Sequence, residues 1–86
     1  LKVEKERFKN AVDEQKNNPN NQLYIIEYFP KNASTSAMRE KVSRMTNFLV
    51  KELKLDESFL TIVTEKAAKP LTKLYRIPPG ASNPRP

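Results

Sequence analysis

Residues 22–29, Gln-Leu-Tyr-Ile-Ile-Glu-Tyr-Phe, constrain the fold of this chain more than any other stretch. They are rich in β-branched and aromatic side chains and are bounded by an Asn-Asn-Pro-Asn-Asn run and by Pro30, so they read as a strand. Side chains alternate across a strand, which places Leu23, Ile25, Glu27 and Phe29 on one face and Tyr24, Ile26 and Tyr28 on the other. Apolar character on both faces describes a central strand, covered at least partly on each side.

Two helices are available to supply that cover. Over residues 2–16, Leu1, Lys5, Phe8, Val12 and Gln15 fall on one side with Ala11 beside them, giving an apolar stripe of Leu1, Phe8, Ala11 and Val12. Pro19 and the flanking asparagines stop this helix. Over residues 37–54, Met38, Val42, Met45, Leu49 and Leu53 recur at helical spacing, and Phe48 widens the stripe. One of Ser34, Thr35 or Ser36 is expected to cap its start, because a short hydroxyl satisfies the free amides of the first turn.

Leu55-Asp56-Glu57-Ser58 reads as a turn, residues 59–65 as a second strand and residues 71–77 as a third. The five residues between the last two suggest an antiparallel hairpin. The predicted order is α-β-α-β-β, an α+β fold in which two helices pack on one face of a small mixed sheet as a two-layer α/β sandwich. One domain spans 1–77, followed by a Pro-rich tail or linker at 78–86 that is expected to be extended. Three strands are few for two helices, so a further strand is expected ahead of Leu1.

Composition narrows the chemistry. The chain has 86 residues, no Cys and no His, and its single Gly is Gly80. That excludes a disulfide framework, a thiolate zinc site, a Cys nucleophile, a Ser-His-Asp triad and a glycine-rich phosphate loop. No cofactor or metal is implied, and the chain is expected not to be an enzyme. No apolar run approaches the ~20 residues of a membrane-spanning helix. The 16 Lys and Arg against 10 Asp and Glu give a net charge of +6, which suits an anionic partner or simple solubility. No run of four like charges occurs, and Glu40 and Arg44 are spaced as an i,i+4 pair on a solvated helix face.

Two residues stand out as ligand-binding candidates. Glu27 interrupts an apolar strand, either as part of a site, or as a residue exposed near a sheet edge, or as one paired with a Lys or with Arg76 on the last strand. Arg44 is the second. A nucleic-acid interface is the alternative function: Tyr24, Tyr28 and Phe29 could stack bases, while Lys31, Arg39, Lys41, Arg44, Lys51 and Lys54 met phosphates.

The order of motifs resembles a divergent branch of the OmpA-like (peptidoglycan-associated) domains of exported bacterial proteins. The resemblance covers roughly residues 8–86. It rests on the helix ending Asn17-Asn18-Pro19, the strand from Tyr24 to Tyr28, the helix carrying Arg44 and ending Asn47-Phe48-Leu49-Val50, and above all the close Leu74-Tyr75-Arg76-Ile77-Pro78-Pro79-Gly80-Ala81. It implies a non-catalytic module in the periplasm or outside the cell, with peptidoglycan or another envelope component as partner. In that family an Asp and an Arg hold the zwitterionic diaminopimelate of the stem peptide, since such a ligand needs one fixed anion and one guanidinium fork. Only Arg44 carries over, because loop 30–36 holds no Asp or Glu. The resemblance therefore implies a degenerate form of the site.

Overall fold

The computed structural model describes residues 2–85 and shows an α+β fold in the expected order. Helix α1 spans Lys2–Asn17, strand β1 Gln22–Pro30, helix α2 Thr35–Asn47, strand β2 Leu60–Ala67 and strand β3 Leu71–Ile77. Leu1 of the expected apolar stripe lies outside the described residues. The rest of that stripe, Phe8, Ala11 and Val12, is buried. Gln15 is buried with it, and its amide donates to the carbonyls of Pro19 and Asn21, tying down the asparagine turn.

The sheet order is β2-β1-β3. Strand β1 pairs parallel with β2, with Ile25 opposite Ile62, and antiparallel with β3, with Ile25 opposite Leu74. The expected hairpin between the second and third strands is therefore not formed. They are adjacent in sequence, but β1 lies between them, and residues 68–70 cross the end of β1. The reason is the two-sided apolar pattern of β1. As an edge strand it would leave one row of backbone groups unpaired, whereas at the centre both rows are bonded and Leu23, Ile25 and Ile26 are wholly buried.

Both helices pack on one face of β1. Phe8, Ala11 and Val12 of α1, Met45 of α2 and Leu49 just beyond it enclose Leu23 and Ile25. Tyr24, Ile26 and Ile77 form a second, smaller cluster on the opposite face, flanked by half-buried Tyr28, Val63 and Tyr75. That face has no helix among the described residues. Its cover comes from its own large side chains leaning together.

The ends of α2 follow from local chemistry. Among the three candidate hydroxyls, Ser34 is the cap: its extended backbone turns the chain in, and its hydroxyl accepts from the Ala37 amide at 3.1 Å. We expect Ser34→Ala to lower stability by about 1 kcal/mol, read as an earlier midpoint in chemical denaturation. At the other end the predicted single helix to residue 54 changes character, since Phe48–Glu52 form a π turn. Lys54 then adopts a left-handed φ of 62°, and the Leu55 amide donates back to Leu49. This seven-to-one bond is one residue wider than the six-to-one bond of a Schellman ending, in keeping with the π winding before it, and Lys takes the left-handed position where Gly is usual. It brings Leu55 into the main core. Asp56 then caps the short 3-10 turn Glu57–Phe59. Hydrogen bonds from the Ser58 amide and hydroxyl hold its carboxyl below the usual range.

Candidate functional site

Glu27 is neither exposed nor at a sheet edge. It sits on the central strand with no solvent exposure, because its position falls on the helix-facing side of β1. Nor is Arg76 its partner: Arg76 reaches across to Glu14 on α1. Of the alternatives raised by the sequence, pairing with a Lys is the one observed. Lys41 of α2 brings its ammonium to 2.8 Å from Oε2 of Glu27. Lys41 is the charge that answers this oxygen, and among the described residues no group meets it with full hydrogen-bond geometry.

The other oxygen, Oε1, accepts from the Thr72 hydroxyl at 2.5 Å. Thr72 lies opposite Glu27 in the β1–β3 register. The same hydroxyl stands 3.1 Å from Oε1 of Glu4 on α1. A hydroxyl has one proton to give, and the buried, closer carboxylate takes it. Arg7 of α1 donates to the Thr72 carbonyl at 2.9 Å. Glu27 is thus the centre of a polar network that joins both helices to the sheet.

Arg44 lies one helical turn beyond Lys41. It pairs with Glu40 at 2.9 Å, with both side chains largely exposed, as the i,i+4 spacing suggested. Arg44 also lines a cleft of about 440 Å³ between α1 and α2 over the end of β1. Phe8, Phe29, Met45 and Phe48 form its apolar walls, and Glu4, Lys5, Lys41 and Arg44 its charged lining. The Lys5 ammonium lies 5.3 Å from the centre of the Phe48 ring, and that of Lys41 5.9 Å from the centre of the Phe29 ring. A second cleft of about 430 Å³ between α2 and β2 carries Arg39 as its sole charged lining residue.

The structure therefore connects the two residues singled out from the sequence. Arg44 lines the cleft, Lys41 lines it too, and Glu27 stands behind Lys41 without lining the cleft itself. Sequence reasoning missed the part played by Lys41. The available signal was spacing: Lys41 and Arg44 are three apart, so they share one side of α2. The aromatic trio proposed for base stacking is divided. Phe29 is buried on the helix side, while Tyr24 and Tyr28 lie on the opposite face. Among the described residues no group of acidic side chains is arranged to hold a metal, and no helix is long and apolar enough to cross a membrane. Comparison with family models, curated proteins and solved structures gives no match.

Proposed function

We propose that this chain is a non-catalytic binding module with an OmpA-like fold, working in the bacterial cell envelope and taking a carboxylate-bearing peptidoglycan fragment in the cleft between α1 and α2. The observation that carries this reading is Arg44 in the lining of an apolar-walled cleft. Clefts of this size, apolar with a few convergent polar groups, are the usual form of small-ligand sites. Among the described residues the Arg44 guanidinium is held by an exposed ion pair alone, and such pairs contribute at most about 1 kcal/mol. A ligand carboxylate can displace Glu40 at small cost and gain the two parallel hydrogen bonds that a guanidinium offers. Glu27 acts one step back: it anchors Lys41 and so sets the position of the second cation of the lining. The envelope location and the peptidoglycan identity rest on the resemblance of the Arg44 helix and of the Leu74–Ala81 close.

The test is a titration with soluble stem-peptide fragments followed by NMR shift changes. Saturable shifts are expected at Ala37, Lys41, Arg44 and Phe48, with affinity falling about tenfold in Arg44→Ala. Glu40→Ala, which releases Arg44, should bind at least as tightly as the wild type. If the wild type shows no shifts in the cleft, the ligand assignment is wrong.

A further inference from the structure

On the sheet face that carries no helix, the strands present two charges, opposite in sign and on opposite sides of β1. Cross-strand partners share a face. Glu65 of β2 stands opposite Tyr28, and Lys73 of β3 stands opposite Ile26, so both side chains belong to this face. Both are exposed, and neither has an ion partner among the described residues. The Lys73 ammonium lies 5.3 Å from the centre of the Tyr28 ring. It thus leans along the sheet toward the row in which Glu65 stands.

The rest of the face is mostly apolar or aromatic. All three tyrosines lie on it, and Tyr28 and Tyr75 are half-buried. Leu71, opposite Tyr28 in the β1–β3 register, is 50% exposed and is the sole exposed large hydrophobic side chain among the described residues. Abundant tyrosine with little charge is the composition of an interface core. The extent is modest. Three strands about 4.8 Å apart, each at least seven residues long, cover roughly 14 by 23 Å. Two such faces together bury less than the ~1,200 Å² of stable complexes, so an association through them is weak and depends on concentration.

We propose that two copies of this chain pack their open sheet faces together about a twofold axis parallel to β1. Sheets stack about 10 Å apart with their strands nearly aligned. The charges choose the axis. With the axis along β1, β3 of one copy lies over β2 of the other. Each Glu65 then stands over the strand that carries Leu71 and Lys73, within reach of that lysine. Tyr28 packs over Tyr28, and the stem of Glu65 covers Leu71. An axis at right angles to the strands would lay β3 over β3 and β2 over β2, setting Lys73 against Lys73 and Glu65 against Glu65. The face is therefore self-complementary in the first arrangement, as a twofold interface must be. A ligand of one sign, acidic or basic, would meet one of the two charges as a like charge, whereas a second copy answers both. The proposal is independent of the cleft, which lies on the other side of the sheet.

The experiment is sedimentation velocity of the whole chain from about 20 µM to 1 mM, a range suited to a weak interface. The mass of the wild type should rise from 9.9 kDa toward twice that value as concentration increases. Glu65→Lys and Lys73→Glu should each weaken dimerisation about tenfold, because each sets like charges together twice across the axis. Combined in one chain they exchange the two charges, and affinity should return close to that of the wild type. A loss of fold or of solubility cannot produce that recovery. Leu71→Asp, at an exposed position, should also weaken the dimer about tenfold by placing a carboxylate in the apolar contact. Circular dichroism checks that each variant is folded; if Lys73→Glu is not, Glu65→Lys and Leu71→Asp carry the same expectation. A wild type that stays monomeric throughout overturns the proposal. So does a dimer that both charge reversals leave unchanged, a double variant no tighter than the single ones, or a dimer indifferent to Leu71→Asp. Arg44→Ala should leave the dimer unchanged, so failure here and failure in the cleft are read separately.

Discussion

Lys41→Met is expected to destabilise the fold by about 3 kcal/mol, making it one of the two most damaging single changes considered. The substitution keeps the length of the side chain and removes the ammonium. Glu27, with no solvent exposure, would then carry a buried charge answered only by the Thr72 hydroxyl. Removing one partner of a buried ion pair costs about 3–5 kcal/mol. The low end applies because the Lys41 side chain is 37% exposed. For a domain this small that is a large share of a total stability of about 4–13 kcal/mol. The companion variant gives the expectation its force. Glu27→Leu combined with Lys41→Met removes both charges and should recover most of the loss, because a buried pair replaced whole by apolar side chains is often neutral or better. Urea denaturation of wild type, both single variants and the double variant forms a complete cycle. If Lys41→Met alone changes the midpoint by no more than an exposed pair would, the network is not holding the helices to the sheet.

The second large effect is expected at Leu49. Leu49→Ala should cost about 3–4 kcal/mol, within the range for a large core aliphatic. Leu49 is fully buried where the two helices meet the sheet, and it lies inside the π turn whose wider winding brings it into the core. Its carbonyl also accepts the Leu55 amide, so the backbone at this point is fixed and cannot move in to fill the space left behind. The natural comparison is Ile26→Ala. Ile26 is equally buried, but its cover is a ring of surface side chains on the open face that can close over a smaller residue. We expect its cost to be about 2 kcal/mol, nearer the low end of the same range. Thermal unfolding of the two variants checks the order. Equal losses would mean that the open face is packed as rigidly as the helix-covered one.

The sequence disclosed the elements more fully than their pairing. Periodicity located β1 and both helices because each depends on side chains a few residues apart. Phe8, Val12, Met45 and Leu49 are found in the core for that reason. The hairpin expectation failed because loop length between residues 66 and 70 reports only that two strands are near each other in the chain. Which strand lies between them depends on the two-faced pattern of residues 22–29, and that pattern was read as centrality without being used to choose the neighbours. The π turn left no local signal: Met45, Phe48 and Leu49 fit an ordinary helical stripe equally well. Glu27 was legible as an anomaly, since an acid in an apolar strand needs a partner. The choice between Lys41 and Arg76 was not, because both are far from it in sequence and Arg76 is claimed by Glu14. Arg44 was legible as a paired surface residue, but its place in the cleft arises only when α1 and α2 come together.

The position of β1 between β2 and β3 also bears on how the chain reaches its native state. Leu23 pairs with Leu60, 37 positions away, and Ile25 with Leu74, 49 positions away. Among the described residues no strand pairs with its sequence neighbour across a short turn, so this sheet has no local nucleus from which to grow. Each pairing must first close a long loop, at an entropic cost that only packing of the helices against β1 offsets. A nascent chain released before residue 71 would have helices and a parallel pair but no partner for the second edge of β1. That edge would present Leu23 to Phe29 with unpaired backbone, the kind of apolar strand border through which polypeptides associate wrongly. Strand β3, made after β1 and β2, is the one that closes it.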